Sequence, residues 1–167
     1  IFFDDATIAG IDSKQSYNTI ALGGKMSFKD GIFKDASMQF KRFSDGLDSG
    51  ENRFFIKPNF DFDVMNQKVK ADFVVDYVGG SFERMYDVDS ELKYSTIIAG
   101  TKPSILYQQD DFSVHLGAGL FYTTNKFNGA SDGKFFVYPN IKASYRLVGD
   151  LMIAYAGAEG NLQQNSY

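Results

Sequence analysis

The chain has 167 residues, one domain's worth at roughly 100–200 residues per domain. Its 17 Lys and Arg stand against 21 Asp and Glu, and the resulting net charge of −4 argues against a dedicated nucleic-acid binder, which carries a basic patch. There is no Cys, which excludes disulfides, thiolate metal sites and Cys nucleophiles.

Aromatic residues are abundant, with 17 Phe and 10 Tyr, yet mean hydropathy is −0.24. The apolar residues are spread among polar ones, and no apolar run approaches the ~18 residues of a membrane helix. Their period is two. Alternating segments are expected at about 18–29 and 35–43, and then most clearly at 54–64. There Phe54, Ile56, Pro58, Phe60, Phe62 and Val64 alternate with Phe55, Lys57, Asn59, Asp61 and Asp63. That pattern predicts a strand with one apolar and one polar face. The next segment sets Val69, Ala71, Phe73, Val75 and Tyr77 against Lys68, Lys70, Asp72, Val74 and Asp76. Further strands are expected at 92–108, 112–123, 135–147 and 151–160, eight in all. Helical spacing is not sustained anywhere.

Strands of about 9–16 residues exceed the ~5–6 typical of globular proteins and match the ~9–11 needed to cross a bilayer. Short turns are expected near 29–34, 66–67, 109–110 and 148–150, with longer polar loops at 44–52, 80–91 and 125–134. This alternation fits an antiparallel up-and-down transmembrane β-barrel with an apolar outside and a polar lumen. A turn at 66–67 would set Asp63 opposite Lys70, Lys57 opposite Asp76 and Phe60 opposite Phe73. A turn at 109–110 would set Tyr107 opposite Phe112 and Ser104 opposite His115. Phe28, Phe43, Phe54, Phe82, Tyr94, Tyr107, Phe112, Tyr122, Phe135 and Tyr145 gather near strand ends, as aromatic girdles do.

If the short turns are periplasmic, both ends of the eight-stranded unit emerge on the outside. The chain is then expected to be a central piece of a larger barrel. Residues 1–17 read as a loop or the end of a preceding strand, 18–160 as barrel strands and 161–167 as a loop. Pro58, Pro103 and Pro139 recur mid-strand in FFIKPNFDFDV, IIAGTKPSILY and FFVYPNIKASY. Proline removes a ladder donor, so a local widening or a bulge is expected at each.

The Phe/Tyr-rich strands, the Pro-Asn-Phe and Pro-Asn-Ile steps and the stretch DLMIAYAGAEGNLQQ at 150–164 resemble the barrel part of bacterial TonB-dependent-receptor-like outer-membrane proteins. The resemblance implies a large barrel in the bacterial outer membrane of a Gram-negative cell, acting in solute or nutrient transport. No plug domain and no TonB-contacting segment is visible in these residues. Outer-membrane lipid is the expected partner, with other outer-membrane or periplasmic proteins beside it, and no cofactor is implied. One alternative is a structural barrel subunit of an outer-membrane complex. Another is a soluble lipocalin-like barrel with the apolar face turned inward around a small ligand.

The expected lumen-facing residues are Lys57, Asp61, Asp63, Lys70, Asp72, Asp76, His115 and Lys142, with mutual pairing as their main role. The expected lipid-facing residues are Phe60, Phe62, Phe73, Val75, Val114 and Leu116. Arg42 is expected at a strand end, where an outward charge costs least, and Lys102 on the polar face. His115 is the lone His. A Ser104–His115 nucleophile lacks an acid to orient the imidazole, so packing or hydrogen bonding in the lumen is the expectation and no enzyme activity is assigned. Asp87, Asp89 and Glu91 alternate in a loop; a solvated acidic loop is the default reading and a Ca²⁺ site the weaker one.

Overall fold

The computed structural model describes residues 16–46, 48–65, 67–82, 91–149 and 151–166. They form eight strands: β1 (Tyr17–Ser27), β2 (Phe33–Asp45), β3 (Gly50–Val64), β4 (Gln67–Phe82), β5 (Leu92–Gln109), β6 (Phe112–Phe127), β7 (Ala130–Val148) and β8 (Met152–Glu159). All eight lie in one sheet in chain order, each antiparallel to the next.

Among the described residues β1 pairs with β2 and β8 with β7, but β1 and β8 do not pair with each other, so the eight strands do not close into a barrel by themselves, as the expectation of a central piece had it. β8 has 8 residues against 19 in β7. The β7–β8 ladder stops at Asn140↔Glu159, and one residue on the Gly160 N–H donates to the Pro139 carbonyl at 3.0 Å. There the chain leaves the ladder and continues without regular structure to Ser166.

Strand lengths also depart from expectation. The loops expected at 44–52 and 125–134 are largely strand. β2 and β3 are joined by residues 46–49, and β6 and β7 by Asn128 and Gly129 alone. Both of these turn residues have positive φ, 45° and 89°, the signature of a tight type I′ hairpin turn. Polar residues did not end these strands because the ladder bonds are made by the backbone; a polar side chain on the covered or wet face leaves them intact.

The registers differ from those expected by two residues. β3 turns into β4 at Met65 and residue 66, so Asp61 faces Lys70 and Asp63 faces Lys68, while Asp76 stands opposite Phe55. Phe60 lies opposite Ala71; its ring meets Phe73 diagonally, edge-on at 5.6 Å. β5 turns into β6 at Asp110–Asp111, so Tyr107 faces Val114 and His115 faces Leu106. Because side chains alternate with period two, a shift of two changes the partners and keeps the faces.

The prolines interrupt pairing without a bulge. β3–β4 pairing runs to Ile56↔Val75 and resumes at Asn59↔Asp72 in the same register. β5–β6 pairing runs to Thr101↔Leu120 and resumes at Ser104↔Gly117, again unshifted. Each gap includes the proline, whose missing N–H removes a ladder donor. Pro139 keeps its pairing to β6, opposite Ala118, and marks the level at which β8 ends.

Candidate functional site: the polar face

Alternation sorts the side chains onto two faces. One carries Ile20, Leu22, Phe40, Phe54, Phe73, Val75, Ile97, Leu116, Phe135 and Ile141, each between 39 and 75% exposed. Phe60, Phe62 and Val114 share this face and are half-buried against their neighbours. All three prolines lie on it too. The other face carries Lys57, Asp61, Asp63, Lys70, Asp72, Asp76, His115 and Lys142, together with Lys102. Arg42 lies on the apolar face, three residues from the end of β2 and opposite Asn52.

Burial is inverted relative to a water-soluble sheet. Val78, Ile98 and Phe121, exposed by 5% or less, lie on the polar face with the buried Glu51, Asp76, Ser104, Thr123 and Asn140. Phe121 is accommodated because Gly100 and Gly119 have no side chain: a Cβ at Gly119 would come within 2.8 Å of its ring, and one at Gly100 closer still. Tyr138 meets the same ring edge-on at 5.9 Å, and the Lys102 ammonium stands 5.8 Å above it.

What covers this face is the chain after β8. Leu162, Gln164 and Ser166 are half-buried while Asn161, Gln163 and Asn165 are exposed, the alternation of an extended strap laid on the sheet. The strap reaches β3, where the Arg53 Nη1 donates to Ser166 Oγ at 3.1 Å. Arg53 also grips Asp76 with two bonds, Nε to Oδ1 at 3.0 Å and Nη2 to Oδ2 at 2.7 Å. Beside them the Tyr94 hydroxyl donates to Glu51 Oε2. Tyr94, Phe43 and Phe82 therefore belong to the polar face and not to an outer girdle. Phe54, Tyr107, Phe112, Tyr122, Phe135 and Tyr145 lie on the apolar face.

Between strap and sheet lies a cavity of about 380 Å³ lined by Arg53, Phe55, Lys57, Asp72, Asp76, Ile98 and Lys102 from the strands and by residues 161–164 from the strap. A second, of about 360 Å³, lies at the β1–β2 and β3–β4 turns between Lys34, Asp61, Asp63 and Lys68.

His115 does not face Ser104. It stands between Leu106 and Lys142, and Ser104 stands between Lys70 and Gly117. The His115 Nδ1 is buried without a hydrogen-bond partner among the described residues, as is the Asn140 Oδ1 two positions from Lys142. Lys142 pairs with Glu159 at 2.8 Å. The expected acidic loop falls mainly outside the described residues, Asp87 and Asp89 included; Glu91 is described and pairs with Lys93 at 2.8 Å. Among the described residues no cluster of metal ligands occurs.

The residues that sequence reasoning missed are Arg53, Glu51, Tyr94 and the strap. Glu51 falls in an expected loop and Arg53 between that loop and the expected strand, and the strap carries no periodic signal; only the odd-numbered run Glu51, Arg53, Phe55, Lys57 could have joined them to the polar face. Comparison with family models, curated proteins and solved structures finds no match to this chain.

Proposed function

We propose that this chain forms part of the wall of an outer-membrane β-barrel that acts in solute transport, with the apolar face against lipid and the polar face toward the lumen. The observation that carries this reading is the inverted burial: large apolar side chains stand exposed on one whole face while carboxylates are buried on the other. The exposed area is 12430 Å², where a compact protein of 18.7 kDa exposes roughly 8,300 Å². A face made up of so many exposed large apolar side chains needs an apolar medium or partner. Strands of 11–19 residues from β1 to β7 supply the reach, since ~9–11 tilted residues cross a bilayer.

Other strands would close the edges of β1 and β8, because an unpaired backbone edge is not tolerated in hydrocarbon. The resemblance to TonB-dependent-receptor-like barrels at 54–64, 135–145 and 150–164 supports the same assignment. A lipocalin-like reading requires the apolar face inside; the strap and the Val78–Ile98–Phe121 core lie on the opposite face, which counts against it.

Outer-membrane fractionation with detergent extraction and a heat-modifiability gel tests the proposal. The native protein is expected in the outer membrane with a mobility shift on boiling. Phe60→Arg and Phe73→Arg on the apolar face should lose assembly, since Arg on a lipid face costs up to ~2–4 kcal/mol toward the midplane. Asp61→Asn should assemble normally. Equal tolerance at Phe60 and Asp61, or recovery as a soluble periplasmic monomer, overturns the face assignment.

A further inference from the structure

The cavity beneath the strap has an unbalanced charge. Of its ionic side chains, Arg53 and Asp76 neutralise one another through two short bonds. Lys57, Lys102 and Asp72 remain, and among the described residues none of the three is in an ion pair. Asp72 faces Lys102 across the β4–β5 ladder. Within the lining, setting one lysine against this single carboxylate leaves the other ammonium in surplus; outside it, Glu159 lies within Coulombic reach of Lys102. Both lysines are half-buried, where an uncompensated charge is costly and an incoming anion is correspondingly favoured.

Their placement suits one shared anionic group. Lys57 is on β3 and Lys102 on β5, with β4 between them. Two strand spacings put their backbones roughly 10 Å apart, a gap that two lysine side chains can close from either side. Above and around them the wall is apolar: Phe55, the 5%-exposed Ile98 and Leu162 of the strap. Gln164 also lines the cavity, and its Oε1 is buried without a hydrogen-bond partner among the described residues. The lining also carries Arg53, Asp72, Asp76, Asn161 and Gln163, so apolar walls and convergent polar groups meet in one hollow, as they do in small-molecule sites.

We propose that this cavity binds a small solute with a carboxylate head and an apolar body, the head between Lys57 and Lys102 and the body against Phe55, Ile98 and Leu162. The role of such a solute as cargo rests on the barrel reading above; the binding site itself does not.

The test is isothermal titration calorimetry of the purified native protein with benzoate, using benzyl alcohol as the neutral counterpart. Benzoate is expected to bind saturably and at least tenfold more tightly than benzyl alcohol. Lys57→Gln and Lys102→Gln should each weaken benzoate at least tenfold, while Lys68→Gln, outside this lining, leaves it unchanged. Fractionation and heat modifiability are recorded on the same preparations. If every variant assembles in the outer membrane but benzoate binds no better than benzyl alcohol, or survives the double Lys57→Gln/Lys102→Gln change, the site is overturned and the barrel stands. If the protein is soluble yet binds benzoate through both lysines, the site stands and the barrel reading falls.

Discussion

Arg53 and Asp76 show how much one contact can weigh on this sheet. The Asp76 side chain is 8% exposed and receives two guanidinium bonds, the bidentate geometry that favours Arg over Lys. Asp76→Ala leaves the Arg53 charge partly buried and unpaired and should cost about 3–5 kcal/mol. The double change Arg53→Met/Asp76→Leu should recover most of that loss, because it removes both charges at similar volume. Chemical denaturation of the detergent-folded protein measures both. Gly100 is a packing counterpart: a Cβ there would meet the Phe121 ring and the Leu120 carbonyl at 3.1 Å. Gly100→Ala should destabilise by about 1–3 kcal/mol, as overpacked cores do. Phe121→Leu in the same chain should return part of it, whereas a loss unchanged in the double variant would place the clash at the backbone instead.

Hairpins set the registers, and each register is decided by which residues the turn uses. The Asn128–Gly129 turn holds both residues at positive φ, a conformation that Asn and Gly adopt at low cost and β-branched residues do not. Gly129→Val should therefore cost at least about 1 kcal/mol and loosen the pairing Phe127↔Ala130 beside it, read as faster amide exchange at the β6–β7 end. Exchange equal to that of the unaltered protein would mean the turn follows the strands instead of directing them. The prolines act differently. At Pro58 and Pro103 the ladder is interrupted yet the register on either side is the same. Neighbouring hydrogen bonds hold the alignment, and each proline removes bonds without moving the strands.

Taken as a whole, the described residues form an open sheet with one exposed apolar face and a charged face partly covered by the strap. Among the described residues its outermost strands, β1 and β8, each lack a partner on one side, and such edges either recruit another strand or invite aggregation. In the assembled protein, the β1 amides that do not bond to β2 should be as protected from exchange as those that do if, as proposed, another strand closes the wall beside β1. Rapid exchange at alternate β1 residues would show a free edge and count against a closed barrel. All eight strands were foreshadowed by two-residue alternation, as was the grouping of Lys57, Asp61, Asp63, Lys70, Asp72, Asp76, His115 and Lys142 on one face and of Phe60, Phe62, Phe73, Val75, Val114 and Leu116 on the other, because a side chain's face depends only on whether its position is odd or even within its strand; Phe43, Phe82 and Tyr94 fell on the polar face instead of an outer girdle. Register was not legible: the turns at 65–66 and 110–111 each admit a neighbouring placement that preserves the faces, so Asp61–Lys70 replaced Asp63–Lys70, and Leu106 replaced Ser104 opposite His115. The ends of the strands were also hidden, since the backbone ladder extends through Glu51, Arg53 and Asp132 without regard to their polarity. The strap and the cavity beneath it come from contacts more than 100 residues apart, such as Arg53 with Ser166. No local pattern encodes them, because they exist only once eight strands have been laid side by side.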